Sequence, residues 1–390
     1  MPLKLGLLGE QIAQMAEASA AEDRRRSLER AQQLIASVDA AELRAKLEER
    51  TVRLPWLVAV PGDSVARTRA PSTCPSSFSV VAADGSFIAP DRHSPVRFYV
   101  INTGHVVLTY GERPSAVLDS SARLYFRDED LFLDPRVRTV PVEGNRLSAK
   151  MCLAEVRALW EASELVKDVP FVAVRDGSLI TWGLQSEDPS FVQQQFLKEF
   201  LGYLDGFLER GIPIVSYVSY PGARDMVNSL RVWLCPRQRV DCEACPASDD
   251  SRFCWTLAGI WDRELFGFLE EGERSDVFGS RSAILDRYGT HRIEFFYMNV
   301  GDEVVRIEAP RWVTGDPGML DLVQTLIHDQ CRRSALHPPY PPALQEAHEQ
   351  AVISTADRQV IDIMVQRALA DKGLFYLGSA KGQSKRRRAV

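Results

Sequence analysis

The tripeptide Asp-Gly-Ser occurs at residues 84–86 and again at 176–178, each time between two apolar, β-like runs (SVVAADGSFI, FVAVRDGSLI). Taken singly, Asp-Gly is a common hairpin turn signal. Two copies that bracket a Glu-bearing helix argue instead for acidic side chains set into a sheet. A carboxylate there is costly to bury unless a positive charge neutralises it, and a divalent metal ion is the partner this pattern calls for.

The chain is long enough, at 390 residues, for one large domain with appendages or for two ordinary ones. With 45% hydrophobic and 26% charged residues it has the make-up of a folded soluble protein. No apolar run approaches the ~20 residues of a membrane span. The N-terminus meets Glu and Gln too early for a secretion signal's apolar core, so a cytoplasmic location is expected. Net charge is 47 minus 53, or −6. That argues against a surface coated for nucleic acid, yet allows a local basic groove around acidic catalytic residues. Basic clusters stand at residues 24–26, 332–333 and 385–388. Each reads as a solvated face or chain end, with the last the best placed to touch a phosphate backbone without sequence preference.

Residues 3 to about 50 read as two amphipathic helices closed by Pro55, with little apolar surface of their own, to be packed on a partner chain or on the main domain. Residues 61–75, rich in Pro, Ser, Thr and Arg, read as a linker or surface loop. Three strands follow in SFSVVAADGSFIAP, VRFYVINTGH and VVLTY, and then an insertion rich in Arg and Asp, SSARLYFRDEDLFLDPRVRTV. Beyond it the patterns predict a helix over 147–166, a strand over 169–174, a helix over 190–210, a strand over 212–219 and a helix over 223–234. Two more strands (HRIEFFYMNV, EVVRIEAPRWV) lead to a helical C-terminal region broken at HPPYPP. Three strands, helix, strand, helix, strand is the order of a ribonuclease H-like α/β fold, with a mixed sheet and helices on its faces.

In that order Asp84 lies on the first strand and Asp176 at the end of the fourth, and strand pairing makes them neighbours. The helix between them supplies the third ligand from Glu155, Glu161 or Glu164. At about 100° per residue, Cys152, Val156, Leu159 and Trp160 form the stripe that faces the sheet. Glu155 flanks that stripe, next to Cys152 and Leu159. Glu161 points away and Glu164 nearly so, which selects Glu155 as the inward carboxylate. Three carboxylates on rigid elements suit two hard cations, Mg²⁺ or Mn²⁺. Two such ions about 4 Å apart activate water and stabilise the leaving oxygen in phosphodiester cleavage. No Ser-His-Asp pattern or phosphate-binding glycine loop competes with this reading.

VVAADGSFI, the helix containing LAEVRAL, FVAVRDGSLI, PIVSYVSYPGARDMV, FFYMNVGDEVVRIEAPRWV and HPPYPPALQEAHEQAVIS, in that order, resemble the NurA family of DNA repair nucleases from about residue 80 to 369. The resemblance implies a ribonuclease H-like nuclease domain over 76–375, a helical arm over 1–55 for dimer or partner contacts, and a basic tail over 376–390. It also implies a ring-like homodimer that uses Mn²⁺, acts on DNA and works with a HerA-like hexameric ATPase, near the nucleoid. The implied activities are 5′ to 3′ exonuclease and single-strand endonuclease, in end resection and double-strand break repair. Asp84, Glu155 and Asp176 then correspond to the metal ligands, and Tyr340 and His348 fall in the family's last motif. His348 would bind the second metal or steady the phosphate. From the residues alone it is equally a helix-surface side chain.

Cys235, Cys242, Cys245 and Cys254 crowd into LCPRQRVDCEACPASDDSRFC, a segment the family pattern does not require. In a cytosolic protein such a cluster reads as metal before disulfide. Structural Zn²⁺ and an iron-sulfur cluster both accept four thiolates, and free cysteines are the alternative. The expected role is to pin an insertion over 235–254. Competing functions are an actin-like ATPase, which would need further glycine-rich phosphate loops, and an inactive DNA-binding adaptor, which retention of all three carboxylates disfavours.

Overall fold

The structure, a computed structural model, describes residues 5–18, 22–49, 52–91, 94, 96–237, 239–245, 253–257 and 259–374. The chain divides into two compact units, one of residues 71–218, 282–293 and 307–390, the other of 1–70, 219–281 and 294–306.

The first of these carries the Asp-Gly-Ser runs. Its strands are β1 (Phe78–Ile88), β2 (Tyr99–Tyr110), β3 (Ser115–Tyr125), β4 (Phe171–Asp176), β5 (Ile214–Val218) and the end of β6 (Val304–Pro310). They lie in the order β6-β5-β4-β1-β2-β3. β1, β2 and β3 form an antiparallel meander, whereas β4 runs parallel to β1 and β5 parallel to β4. The mixed sheet and the element order are those of the ribonuclease H-like α/β fold expected from the sequence.

Helix α1 (Asn145–Ser163) lies on one face of this sheet, with α2 (Lys198–Glu209) beside it. Cys152, Val156 and Leu159 meet Val81, Ala83 and Ala173 in a continuous core. Each large apolar side chain so buried contributes roughly 1.5–3 kcal/mol. Trp160 packs edge-on against Phe207 at 5.2 Å. Helices α3 (Pro317–Arg332), α4 (Pro342–Ala351) and α5 (Thr355–Ala370) complete the unit.

Several expectations are corrected. VRFYVINTGH and VVLTY belong to one strand, β2, and the third strand, Ser115–Tyr125, starts before the supposed insertion and takes in its first residues. Alternation there was obscured because β3 is exposed along nearly its whole length, so neither face is marked by apolar residues. The helix expected over 190–210 begins with a wider, π-type stretch, Phe191–Leu197, before α2.

The other unit contains three N-terminal helices, not two: Leu5–Ala18, Glu22–Ser37 and Ala40–Glu48. The break comes where Asp39 accepts a hydrogen bond from Glu42 N and caps a new helix. Ile35, Leu43 and Leu47 are buried with Leu230, Phe266, Phe278 and Phe295, so much of this segment is core. The stretch expected as a linker, 61–75, begins on a short strand, Ala59–Pro61, and holds another at Thr68–Arg69. Helix Asp225–Trp233 is held at its start by Asp262, which accepts from Met226 N, Val227 N and the Tyr297 hydroxyl. Among the described residues no helix is long and apolar enough to cross a membrane.

Candidate active site

The register of β1 against β4 builds the site. Ala83 pairs with Arg175, which sets the next residues, Asp84 and Asp176, side by side. The two Asp-Gly-Ser runs then serve different ends. Gly177 adopts φ of +78°, a left-handed conformation that glycine reaches without steric cost, and there the chain leaves β4. Gly85 stays within β1, and its role is space: a Cβ there would lie 2.8 Å from Glu155 Oε1 and 2.8 Å from Met151 Cγ. Ser178 Oγ donates to Glu308 Oε2 at 2.5 Å, and Leu179 N donates to the same oxygen at 3.0 Å, which fixes the loop after Asp176. Glu308 is fully buried on β6 and was not foreseen; its place with Arg306 as one of two charges inside the mostly apolar strand VVRIEAP was the available signal.

Glu155 is 2% exposed, as its helical phase predicted, while Glu161 and Glu164 are solvent-facing. Arg175, unnoticed in the sequence, donates to Glu155 Oε2 from Nε at 2.9 Å and from Nη2 at 2.6 Å. It also reaches the Ser178 carbonyl. Period two along FVAVRD puts this arginine on the side of Ala173 in a strand buried from Val172 to Arg175, where a charge requires a partner. Burial pushes the Glu155 carboxyl up; Arg175 opposes the shift, and Asp84 and Asp176 add to it.

Asp84 Oδ2 lies 2.7 Å from His348 Nδ1, and Asp84 Oδ1 accepts from Gly85 N at 2.8 Å. The contact depends on Gly104, which pairs with Asp84 across β1 and β2. A Cβ at Gly104 would sit 2.4 Å from the Ala347 carbonyl oxygen, so only glycine lets α4 lie this close to the strand. Asn102 Nδ2 donates to the Ala351 carbonyl at 2.9 Å and Ser86 Oγ donates to the same oxygen, holding the end of α4. The imidazole of His348 is 61% exposed, which places it on the open side of the carboxylates.

Tyr340 hydrogen-bonds Asp176 and stands edge-on to Tyr217, ring centres 5.5 Å apart. Burial and the nearby Asp176 and Asp84 push its phenol well above the usual range. Protein atoms crowded around Asp176 strip away enough water to raise its carboxyl too, even though its outer surface is open; Asp84 adds to that rise. All five expected site residues therefore come together.

Three carboxylates, two of which (Glu155 and Asp176) are pushed up partly by the charge of the third, with an imidazole at the rim, form a donor set of the kind a hard divalent cation takes. Among the described residues no three His, Cys, Asp or Glu side chains close into a ready-made ion cage. In the acidic cluster Glu155 Oε2 is turned onto Arg175 and Asp84 Oδ2 onto His348. Glu155 Oε1 faces Gly85.

The four clustered cysteines form no disulfide and are half-buried. Desolvation, followed by the charges of Cys235, Cys254 and Cys245, pushes the Cys242 thiol up to about 11, which reflects their nearness. Cys242 N donates to the Arg53 carbonyl at 2.9 Å, and Lys46 Nζ donates to the Cys235 carbonyl at 2.7 Å. Of the basic clusters, Arg24 pairs with Glu264 and Arg333 with Asp329, whereas the 385–388 cluster lies outside the described residues.

The chain is similar to the NurA nuclease from Sulfolobus solfataricus at 14% identity, over 79% of this chain and 88% of that one, with a TM-score of 0.45. It is also similar to NurA bound to dAMP and manganese at 13% identity, over 74% and 88%, with a TM-score of 0.34. Both likenesses are remote, and no curated protein matches the chain. The sequence match is more telling, because the family model described as the NurA domain covers residues 78–353, a span that runs from β1 through α4 and holds every residue of the acidic site. On that match the chain belongs to the NurA family.

Proposed function

We propose that this protein is a deoxyribonuclease that depends on a divalent metal and hydrolyses phosphodiesters at Asp84, Glu155 and Asp176. One observation carries the reading: the β1–β4 register sets Asp84 beside Asp176, and the bare backbone at Gly85 leaves room for Glu155 between helix and sheet. These three carboxylates would hold Mn²⁺ or Mg²⁺, with His348 as a further ligand. Bound as a pair, the ions would supply activation of a water and stabilisation of the leaving oxygen. The chain's own groups set the stage: Arg175 fixes the orientation of Glu155, and Tyr340 holds Asp176. His348, open to solvent beside Asp84, is placed to meet the phosphate.

Membership of the NurA family supports the finer reading of a 5′ to 3′ exonuclease and single-strand endonuclease in end resection and double-strand break repair. On this reading the protein acts at the nucleoid as a homodimer with a HerA-like hexameric ATPase. The nuclease domain extends over 76–375, and the exposed Leu5, Ile12 and Met15 of the first helix support partner contacts by the 1–55 arm. Cys235, Cys242, Cys245 and Cys254 hold structural Zn²⁺ or an iron-sulfur cluster, a reading that metal analysis of untagged protein tests directly. Neither zinc nor iron, with four freely titratable thiols, would refute it.

Degradation of end-labelled DNA with Mn²⁺, Mg²⁺ or EDTA tests the activity, the metal and the polarity together. Label should leave the 5′ end first with Mn²⁺ and stay put with EDTA. Cleavage that survives EDTA, or that persists in Asp84→Asn, overturns the assignment.

A further inference from the structure

Strand β3 ends the sheet of its unit, and among the described residues it pairs with β2 alone. The pairing with β2 runs unbroken from Tyr99 opposite Tyr125 to Thr109 opposite Ser115, so no bulge bends the outer edge away. Eleven residues long, SAVLDSSARLY contains neither proline nor lysine, the usual devices that keep a free edge from pairing. Val117, Leu118 and Leu124 are each at least 40% exposed. A long, flat edge with apolar side chains open to solvent is a template for another strand.

The sequence of the edge says which strand. A second copy added across a two-fold axis perpendicular to the sheet pairs antiparallel and keeps each face on its own side, so the centre must fall on a residue and not between two. Centred on Ser121, the pairing sets Asp119 opposite Arg123, Leu118 opposite Leu124 and Val117 opposite Tyr125, each twice by symmetry. Centred on Ser120, it would set Asp119 against Ser121 and Arg123 against Val117. Centred on Ala122, it would set Asp119 against Tyr125 and Arg123 against Ser121. Opposite charges and apolar pairs directly across an antiparallel ladder stabilise it, and only the Ser121 register supplies both.

We propose that β3 is the seam between two copies of this chain, joined as one continuous antiparallel ladder about Ser121. This rests on the homodimer proposed above and gives it an interface and a register; it is independent of the nuclease chemistry. Asp119, Ser121 and Arg123 are exposed, so their replacement leaves the fold of the chain in place.

The test uses the full chain. In Ser121→Cys the two position-121 sulfurs face each other across the axis. The Cα separation of opposed antiparallel residues, about 4.5–5.5 Å, suits a disulfide. Oxidation should yield a covalent dimer whose 121–121 link is identified by mass spectrometry against the native cysteines. Asp119→Arg, which opposes Arg123, should weaken dimerisation roughly tenfold or more by light scattering across a dilution series. The exchanged pair Asp119→Arg with Arg123→Asp should restore it. A dimer that tolerates Asp119→Arg and forms no 121–121 link has its seam elsewhere, which overturns this register and leaves the homodimer standing. A wild-type chain that is monomeric at all concentrations overturns both.

Discussion

Arg175 holds Glu155 through two N–H donors on one carboxylate oxygen, at 2.9 and 2.6 Å, with both side chains nearly sealed from solvent. The pair fixes the one carboxylate that reaches the site from a helix. Arg175→Gln leaves Glu155 buried without a cation and should cost about 3–5 kcal/mol of stability. Urea unfolding measures this. Arg175→Lys, which keeps the charge but loses the forked geometry, should recover only part of it. An unchanged midpoint in Arg175→Gln would show that the pair does not organise this helix.

If the proposed site is right, Asp84→Asn and Asp176→Asn should each abolish cleavage with the fold intact, because each would lose a carboxylate proposed to hold the metal and no core packing. Calorimetric titration with Mn²⁺ should show weakened binding in both, while circular dichroism stays as in the wild type. Near-normal Mn²⁺-dependent turnover in either variant rules out the site.

The two glutamates of α1, Glu155 and Glu161, and Glu164 at its C-cap separate cleanly by burial. Glu155→Gln should lower turnover by orders of magnitude, whereas Glu161→Gln and Glu164→Gln, on the solvent side, should leave it near the wild-type rate. Equal losses in all three would mean that helix position does not determine their roles.

Gly104→Ala forces a methyl group against the Ala347 carbonyl oxygen and should push α4 off the sheet, costing about 1–3 kcal/mol. Cleavage should fall along with stability, since His348 moves away from Asp84. Gly202→Ala, on α2 with nothing within 4 Å of the added carbon, should instead be neutral or stabilising by up to about 1 kcal/mol. Thermal melts of the two variants, run together, decide the comparison.

Deleting residues 1–50 removes Ile35, Leu43 and Leu47 from the core of their unit. The truncated chain should therefore lose cooperative unfolding in that unit, and not merely partner contacts. A truncated protein with a wild-type denaturation profile would show that these buried positions contribute little.

What the sequence determined by itself was the set of acidic residues and the phase that turns Glu155 inward. Two Asp-Gly-Ser runs at the ends of apolar segments, and a glutamate flanking the apolar stripe of one helix, are local patterns, and local periodicity is what places a side chain on one face or another. The order of elements likewise implied the mixed sheet. Tertiary structure alone decided the rest. Gly85 and Gly104 are both glycines in strands, and nothing local says that one leaves room for a glutamate and the other for a helix; that depends on what packs across the sheet. Arg175 finds Glu155 twenty positions away, and Glu308 meets Ser178 from a strand 130 positions on, so neither pairing has a period to read. Strand β3 hid partly in an apparent insertion for the opposite reason: a strand exposed on both faces carries no burial pattern, and only its hydrogen bonds to β2 reveal it.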